Sequence, residues 1–140
     1  MSRIAILGAA MIYFYSAGAQ GASPAATRVP SDQIGPPVRV VTISFQNKSL
    51  ETIRDLVEAE AAKGTDVIVL PETWRGQKNN TSETLAGPTV SVMARIAAKY
   101  HTYIVCPIDR KEGVRRYNSA VFLDRNGQVV SVNNKVYLYW

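Results

Sequence analysis

The sequence predicts an α/β domain whose sheet begins parallel and ends antiparallel. Three apolar, β-branched runs, at residues 38–45, 66–70 and 102–108, are typical of strands. Two stretches with apolar residues at helical spacing separate these runs. An Asn-Gly pair between two later β-rich runs predicts a hairpin. The predicted order is therefore β-α-β-α-β followed by a hairpin.

Residues 38–70 are predicted to form a β-α-β unit with a right-handed crossover. Ser49 is a favourable N-cap for the helix, and Gly64 is a natural stop after it. The second strand is apolar at every position from Val67 to Leu70, which suits a strand covered on both faces. The apolar face of the helix is predicted to comprise Leu50, Ile53, Leu56, Val57 and Ala61.

The second helix is predicted to begin at Gly87-Pro88, with proline in its first turn, and to end near His101. A third strand follows at residues 102–108. The basic run "RKEGVRR", residues 110–116, is interpreted as a solvated loop before the hairpin around Asn126-Gly127. The apolar stripe of the helix is predicted to comprise Val90, Met93, Ile96, Ala97 and Tyr100.

The first 37 residues are predicted to lie outside the fold. Arg3, an apolar run and the small residues Ala17-Gly18-Ala19 are typical of a secretory signal peptide at residues 1–19, with cleavage after Ala19 or Ala22. The run is too short to span a bilayer, although a retained anchor is the alternative. Residues 20–37 contain four prolines and predict a flexible leader before a domain at residues 38–140. The protein is therefore expected to be secreted or periplasmic, without stable membrane insertion.

Composition limits the possible partners and cofactors. The formal net charge of 140 residues is +5, but the cations are spread along the chain, and no aromatic residues interleave the run at 110–116 to stack on bases. No nucleic-acid partner is predicted. One cysteine, Cys106, and one histidine, His101, allow neither an internal disulfide nor zinc-ligand spacing.

A glutamate follows the second strand in "DVIVLPETW". Ligands of open α/β sheets bind outside the carboxyl ends of the strands, and Glu72 stands at such an end. Partial desolvation there is expected to raise its pKa toward the range useful for a general base. The alternative is a surface acid in the turn that leaves the strand.

Several motifs occur together in one order: "LPE", "LAGPTV", "YIVCPI", "YNSAVFLDRNGQVV" and "NNKVYLYW". This arrangement resembles the first half of a carbon–nitrogen hydrolase, the nitrilase and amidase superfamily, over residues 38–140. The resemblance implies the first half of a nitrilase-like four-layer α-β-β-α sandwich. A sheet without its second half would leave an exposed edge and an uncovered apolar face.

The resemblance also implies a catalytic set of glutamate, lysine and cysteine. Glu72 matches the general base, and Lys135 matches the lysine that stabilises charge in the transition state. The family's nucleophilic cysteine lies well after the lysine and is absent from this sequence, which runs to Trp140. Cys106 does not match it and is predicted to be a small buried core residue. A thiol–imidazole pair of Cys106 with His101 is the alternative, but nothing predicts that they meet.

The resulting hypothesis is an exported hydrolase of non-peptide carbon–nitrogen bonds in a small-molecule amide or nitrile, inactive as this piece alone. The alternatives are a non-catalytic nitrilase-like binding or structural module and an unrelated small α/β ligand-binding domain. No glycine-rich phosphate loop follows the first strand, which disfavours a nucleotide-binding domain. The implied mechanism needs no cofactor or metal, and the resemblance implies a homo-oligomer in the full-length form.

Four aromatic residues are candidates for lining a pocket near the catalytic end. Tyr137 is predicted to belong to the core, and the sequence leaves Trp74, Tyr139 and Trp140 open between pocket, core and interface.

Overall fold

A computed structural model describes residues 35–72, 74 and 81–137. The predicted signal peptide, most of the predicted leader, Tyr139 and Trp140 lie outside the described residues. All elements below belong to the compact unit Pro36–Trp140. Among the described residues, none of the helices has the length and apolar character required to cross a membrane.

Within the described residues, five strands and two helices form the fold, and their order confirms the predicted α/β class. The elements are β1 (Val40–Thr42), α1 (Leu50–Ala61), β2 (Val67–Val69), α2 (Pro88–Tyr100), β3 (Tyr103–Glu112), β4 (Arg115–Leu123) and β5 (Val129–Asn134). The sheet has the order β1-β2-β3-β4-β5. β1, β2 and β3 pair in parallel, whereas β3, β4 and β5 pair antiparallel.

Helix α1 begins as predicted, because the Ser49 hydroxyl accepts a hydrogen bond from the backbone N–H of Thr52 at 3.1 Å. Its buried residues are Ile53, Val57 and Ala61. The prediction for Leu56 is wrong, because this side chain is 38% exposed. One residue corresponds to about 100° of helix rotation, so Leu56 lies well to the side of the face that Val57 buries.

Helix α2 has both of its predicted ends. Gly87 is the N-cap, Pro88 is the first residue, and His101 closes the helix in the left-handed conformation with φ 53°. A buried carboxylate completes the N-terminus, since Glu83 Oε2 accepts the backbone N–H of Thr89 at 2.9 Å. A Cβ atom at Gly87 would lie 2.4 Å from that oxygen and 2.9 Å from the backbone carbonyl oxygen of Thr84, so this cap favours glycine.

The two faces of the sheet differ in burial. The face that packs against both helices, here called the helix face, carries fully buried residues such as Ile68, Ile104, Cys106, Val121 and Leu123. The opposite face, here called the open face, carries Val67, Val69, Val105 and Phe122, all only partly buried. No second layer covers the open face within the described residues.

The basic run at residues 110–116 is not the predicted loop. It forms the end of a β-hairpin in which β3 pairs with β4 from Ile104↔Leu123 to Glu112↔Arg115. The turn between them consists of Gly113, with φ 59°, and Val114. The many charges in this run led to the prediction of a loop. A short turn with positive φ at its glycine instead supports a hairpin. Successive side chains of a strand point to opposite faces, so the charged side chains are divided between the two faces of the sheet.

A glycine in the β4–β5 turn provides a test of how this turn packs on α2. Gly127 has φ 76°, and a Cβ atom there would lie 2.3 Å from the carbonyl oxygen of Ala94. Gly113 has a similar φ but nothing within 4 Å of its Cβ position. Both alanine substitutions should cost about 1–2 kcal/mol of backbone strain. Gly127→Ala should cost roughly 1–3 kcal/mol more through overpacking.

The measurement is urea unfolding of the full-length protein carrying each substitution, with Gly113→Ala as the control that contains only the backbone strain. Equal losses of unfolding free energy in the two variants would contradict the close approach of this turn to α2.

Candidate active site

Three side chains that are distant in sequence meet at the open face. Glu72 Oε1 accepts a hydrogen bond from Lys135 Nζ at 2.8 Å, across 63 residues. The same oxygen accepts a second hydrogen bond from Asn118 Nδ2 at 2.6 Å, across 46 residues. Glu72 follows β2, Asn118 belongs to β4 and Lys135 follows β5, so the site requires the assembly of β2 to β5.

The chain is hydrogen-bonded to β3 both before and after Glu72. The backbone N–H of Leu70 donates to the carbonyl of Val105 at 3.0 Å. The indole N–H of Trp74 donates to the carbonyl of Pro107 at 2.9 Å. Leu70 and Trp74 are both buried, with 3% and 1% exposure. Two buried anchors therefore hold the carboxylate at the carboxyl end of β2, where the sequence predicted a ligand site.

Strand pairing brings the other two side chains to the same place. Ser119 pairs with Asn134, and the backbone N–H of Lys135 donates to the carbonyl of Asn118 at 2.8 Å. Successive side chains of a strand alternate between faces, so Asn118 and Lys135 both lie on the open face. The hydrogen-bond register of β4 and β5 thus sets the distance between Asn118 and Lys135.

A pocket of about 340 Å³ lies beside these three residues. This volume is in the range of small-molecule sites. Pro107 and Ala120 contribute small side chains to its lining, which leaves room above the sheet. The lining residues are Glu72, Pro107, Asn118, Ala120, Asn133, Asn134 and Lys135.

The pKa of Glu72 is lowered, which contradicts the predicted rise. The hydrogen bond from Lys135 is the largest cause, and partial desolvation opposes it without overcoming it. The hydrogen bond from Asn118 lowers the pKa further. The Glu72 side chain is 51% exposed, so its loss of water is too small to dominate. Glu72 is therefore an ionised carboxylate at neutral pH.

Cys106 lies outside this constellation. It is fully buried on the helix face of β3, so the sheet separates its thiol from the open face, and its predicted place in the core is confirmed. His101 is exposed at the end of α2. The alternative of a thiol–imidazole pair between these residues has no support from their positions.

The aromatic candidates divide between core and surface. Trp74 belongs to the core, where it packs edge-on against Phe45 with ring centroids 5.7 Å apart. The prediction that Tyr137 is a core residue is wrong, because it is 86% exposed. Tyr137 lies beyond the end of β5, on a segment that leaves the sheet, so β-pairing no longer directs its side chain toward other residues.

Asn118 is the member of the site that sequence reasoning missed. The motif "YNSA" carried the family resemblance, but no role followed for its asparagine. The sequence did contain one signal for Asn118: a polar amide within a predicted strand, directly before the small and apolar residues Ser119, Ala120 and Val121. Among the described residues, no group of three or more histidine, cysteine, aspartate or glutamate side chains is arranged to hold a metal ion.

The carbon-nitrogen hydrolase family model matches residues 33–139, so the chain belongs to this family. A "Probable nitrilase" of Schizosaccharomyces pombe is 30% identical over 117 residues, which are 76% of this chain and 42% of that protein. A second S. pombe protein, described as a hydrolase, is 29% identical over 112 residues, covering 73% of this chain and 34% of its own length. The chain thus spans less than half the length of these curated relatives.

Solved structures support the fold assignment. An N-terminal amidase crystallised with an Asn-Glu-Ala peptide matches 73% of this chain and 29% of its own, with a TM-score of 0.63 and 17% identity. An amidase from Nesterenkonia sp. matches 74% of this chain and 44% of its own, with a TM-score of 0.59 and 21% identity. At these identities the likeness shows a nitrilase-like fold.

Removing the side-chain charge of Lys135 should reverse the lowering of the pKa of Glu72. Lys135→Met deletes the hydrogen bond and the positive charge that lower the pKa of Glu72, so this pKa should rise toward the ordinary value for glutamate. The measurement is a ¹³C NMR titration of the glutamate side-chain carboxyls in the full-length protein.

A matched pair on the helices provides the control for this titration. Lys99 Nζ donates to Glu58 Oε1 at 2.6 Å and is the largest cause of the lowered pKa of Glu58. Lys99→Met should raise the pKa of Glu58 and leave that of Glu72 unchanged. An unchanged pKa of Glu72 in Lys135→Met would show that the two side chains do not pair in solution.

Proposed function

We propose that this protein hydrolyses a carbon–nitrogen bond of a linear amide or nitrile. In this proposal Glu72 is the general base, Lys135 stabilises the charge that develops on the substrate, and the nucleophilic cysteine lies downstream of Trp140. The observation that carries the proposal is the double hydrogen bond to Glu72 Oε1 at the edge of a small-molecule-sized pocket. Membership of the carbon-nitrogen hydrolase family supports the reaction class.

The proposed reaction uses both charges of the pair. Glu72 takes the proton of the thiol, the sulfur forms a bond to the substrate carbon, and negative charge develops on the carbonyl oxygen or nitrile nitrogen. A fixed cation at Lys135 stabilises that charge most effectively in a site with little water. For an amide, the protonated Glu72 then returns its proton to the departing amine. Glu72 then deprotonates a water molecule, which adds to the carbonyl carbon of the resulting thioester. The carbon–sulfur bond breaks, the acid leaves, and Glu72 returns the proton to the thiolate sulfur.

The resting ionisation of Glu72 fits the first step, because only a carboxylate can accept the thiol proton. Its lowered pKa makes it a weak base while the pocket is open to water. A covering protein layer or a bound substrate would remove water from the carboxylate and raise its pKa, which strengthens the base. The proposed catalytic state is therefore a covered form of the pocket.

The second candidate is a non-catalytic module of the same family. It is favoured by the position of the sole cysteine in this sequence, since Cys106 lies on the helix face and cannot supply a thiol to the pocket. The reading frame beyond codon 140 discriminates the two candidates. A cysteine in a later strand-to-turn segment supports the hydrolase, and a stop codon there supports the module.

Glu72→Gln in the full-length protein should reduce turnover by about 10²- to 10⁴-fold, the typical contribution of a positioned general base. Lys135→Met should reduce it by a comparable factor, and the double variant should lose little more than either single variant, because both residues act in one step. The measurements are steady-state kinetics on simple amides and nitriles, beside circular dichroism to verify the fold.

Cys106→Ser is the matched control, because it replaces a thiol that does not face the pocket. It should retain most of the turnover, although burying a hydroxyl at this position costs some stability. A folded Glu72→Gln protein with near-normal turnover would contradict the proposed base. A folded Cys106→Ser protein without activity would contradict the proposed location of the nucleophile.

We also propose that the protein is exported, on the basis of Arg3, the apolar run and Ala17-Gly18-Ala19. After expression in the source cells, amino-terminal sequencing of secreted or periplasmic material should begin near Gln20 or Ser23. Replacement of the apolar run by polar residues should retain the protein in the cytosol. Recovery of the unmodified protein from the cytosol with Met1 intact would contradict export.

A further inference from the structure

An arginine is buried directly behind the candidate active site, on the helix face. Arg110 of β3 is only 9% exposed. Its Nε donates to Ser119 Oγ at 3.2 Å, its Nη2 to Asn134 Oδ1 at 3.3 Å and its Nη1 to Glu112 Oε2 at 3.2 Å. Its guanidinium carbon lies 4.5 Å from the centre of the Tyr117 ring. One side chain therefore connects three neighbouring strands.

The two residues that Arg110 holds on β4 and β5 are sequence neighbours of two site residues. Ser119 follows Asn118, and Asn134 precedes Lys135. Ser119 Oγ also donates to Asn134 Oδ1 at 2.8 Å, so the network closes between β4 and β5. Because side chains alternate between faces, fixing this pair on the helix face orients their neighbours toward the open face.

The β4–β5 pairing contains an irregularity that makes such a constraint necessary. A register shift interrupts it between Phe122 and Leu123, near the turn. The turn alone therefore does not determine how the strands align at their far ends, where the site lies. A slip of one residue there would move Lys135 from the open face to the helix face.

The chemistry of Arg110 makes the constraint specific. A buried guanidinium that loses its partners carries a large desolvation cost, so misaligned strands that separate it from Ser119 and Asn134 are strongly disfavoured. The preceding residues on the same face of β3, Cys106 and Ile108, are fully and largely buried, with 0% and 7% exposure. A further apolar residue at position 110 would fill space there but would tolerate a shifted register.

We propose that Arg110 is a positioning residue of the active site: by binding Ser119 and Asn134 it fixes the β4–β5 register that presents Asn118 and Lys135 to Glu72. The effect on catalysis rests on the proposed function, whereas the positioning itself does not.

Two substitutions in the full-length protein test this role. Arg110→Met keeps an apolar stem and removes every donor. Asn134→Ala removes one acceptor of the Arg110 hydrogen bonds. Because Asn134 is exposed, this variant should fold even if Arg110→Met does not. In both variants the Glu72 carboxyl should titrate in ¹³C NMR closer to an ordinary glutamate. The kcat should fall by about 10-fold or more, with KM within about 2-fold, because misplacement of Lys135 affects the transition state more than binding.

Arg125→Met is the matched control, because Arg125 also forms an ion pair, with Asp66 at 2.7 Å, at the opposite end of β4. It should leave the Glu72 titration and kcat unchanged. Adding Arg110→Met to Lys135→Met should cause little further loss, since the arginine acts through the lysine.

Two outcomes overturn the proposal. One is a folded Arg110→Met or, if that variant unfolds, a folded Asn134→Ala whose Glu72 titration equals that of the unmodified protein. The other is an equal effect of the control Arg125→Met on that titration. The titration does not require turnover, so it decides the positioning role even if Glu72→Gln proves active and the proposed function fails.

Discussion

The register between β4 and β5 is the constraint on which the candidate site depends. Asn118 and Lys135 reach the same oxygen of Glu72 only because both are open-face residues, each next to the last residue pair of the β4–β5 ladder, Ser119 and Asn134. Strand alternation makes that outcome all-or-none, since a shift by one residue reverses the faces. The site is therefore specified as much by backbone pairing on these two strands as by the three side chains themselves.

The core on the helix face supplies the rigidity that this constraint needs. Ile68, Ile104 and Leu123 occupy neighbouring positions across β2, β3 and β4 and are fully buried. Trp74 extends the same core beyond β2 and ties the segment after Glu72 to β3. The apolar core thus holds the carboxylate from one side of the sheet, while the functional groups face the other side.

Much of the fold could be predicted because its signals are local. The Ser49 cap, the Pro88 start and the Asn126-Gly127 turn each follow from the chemistry of one or two residues. Positions that depend on distant partners were harder. Arg110 looked like part of a solvated loop because no local pattern shows that Ser119 and Asn134 accept its hydrogen bonds.

The candidate site shows the same division. Proximity to the carboxyl end of a strand identified Glu72, and the family motif identified Lys135, but neither gave the contact between them. The pKa of Glu72 was predicted to rise through desolvation, and this prediction is wrong because the hydrogen bond from Lys135 lowers that pKa by more than desolvation raises it. The prediction for Tyr137 was wrong because the residue lies beyond the end of β5, where strand pairing no longer places its side chain against the sheet.

The open face connects these observations to chemistry. Glu72 is half exposed, so water and Lys135 together favour its charged form, and the ion pair is weak in that environment. Covering the pocket would strengthen the attraction between Glu72 and Lys135 and also increase the desolvation of both charges. Asn118 limits that penalty, because its amide donates a hydrogen bond to the carboxylate and carries no charge of its own. A neutral donor therefore stabilises the ionised carboxylate of Glu72, and in the proposed mechanism it does not compete with Lys135 for the negative charge of a substrate.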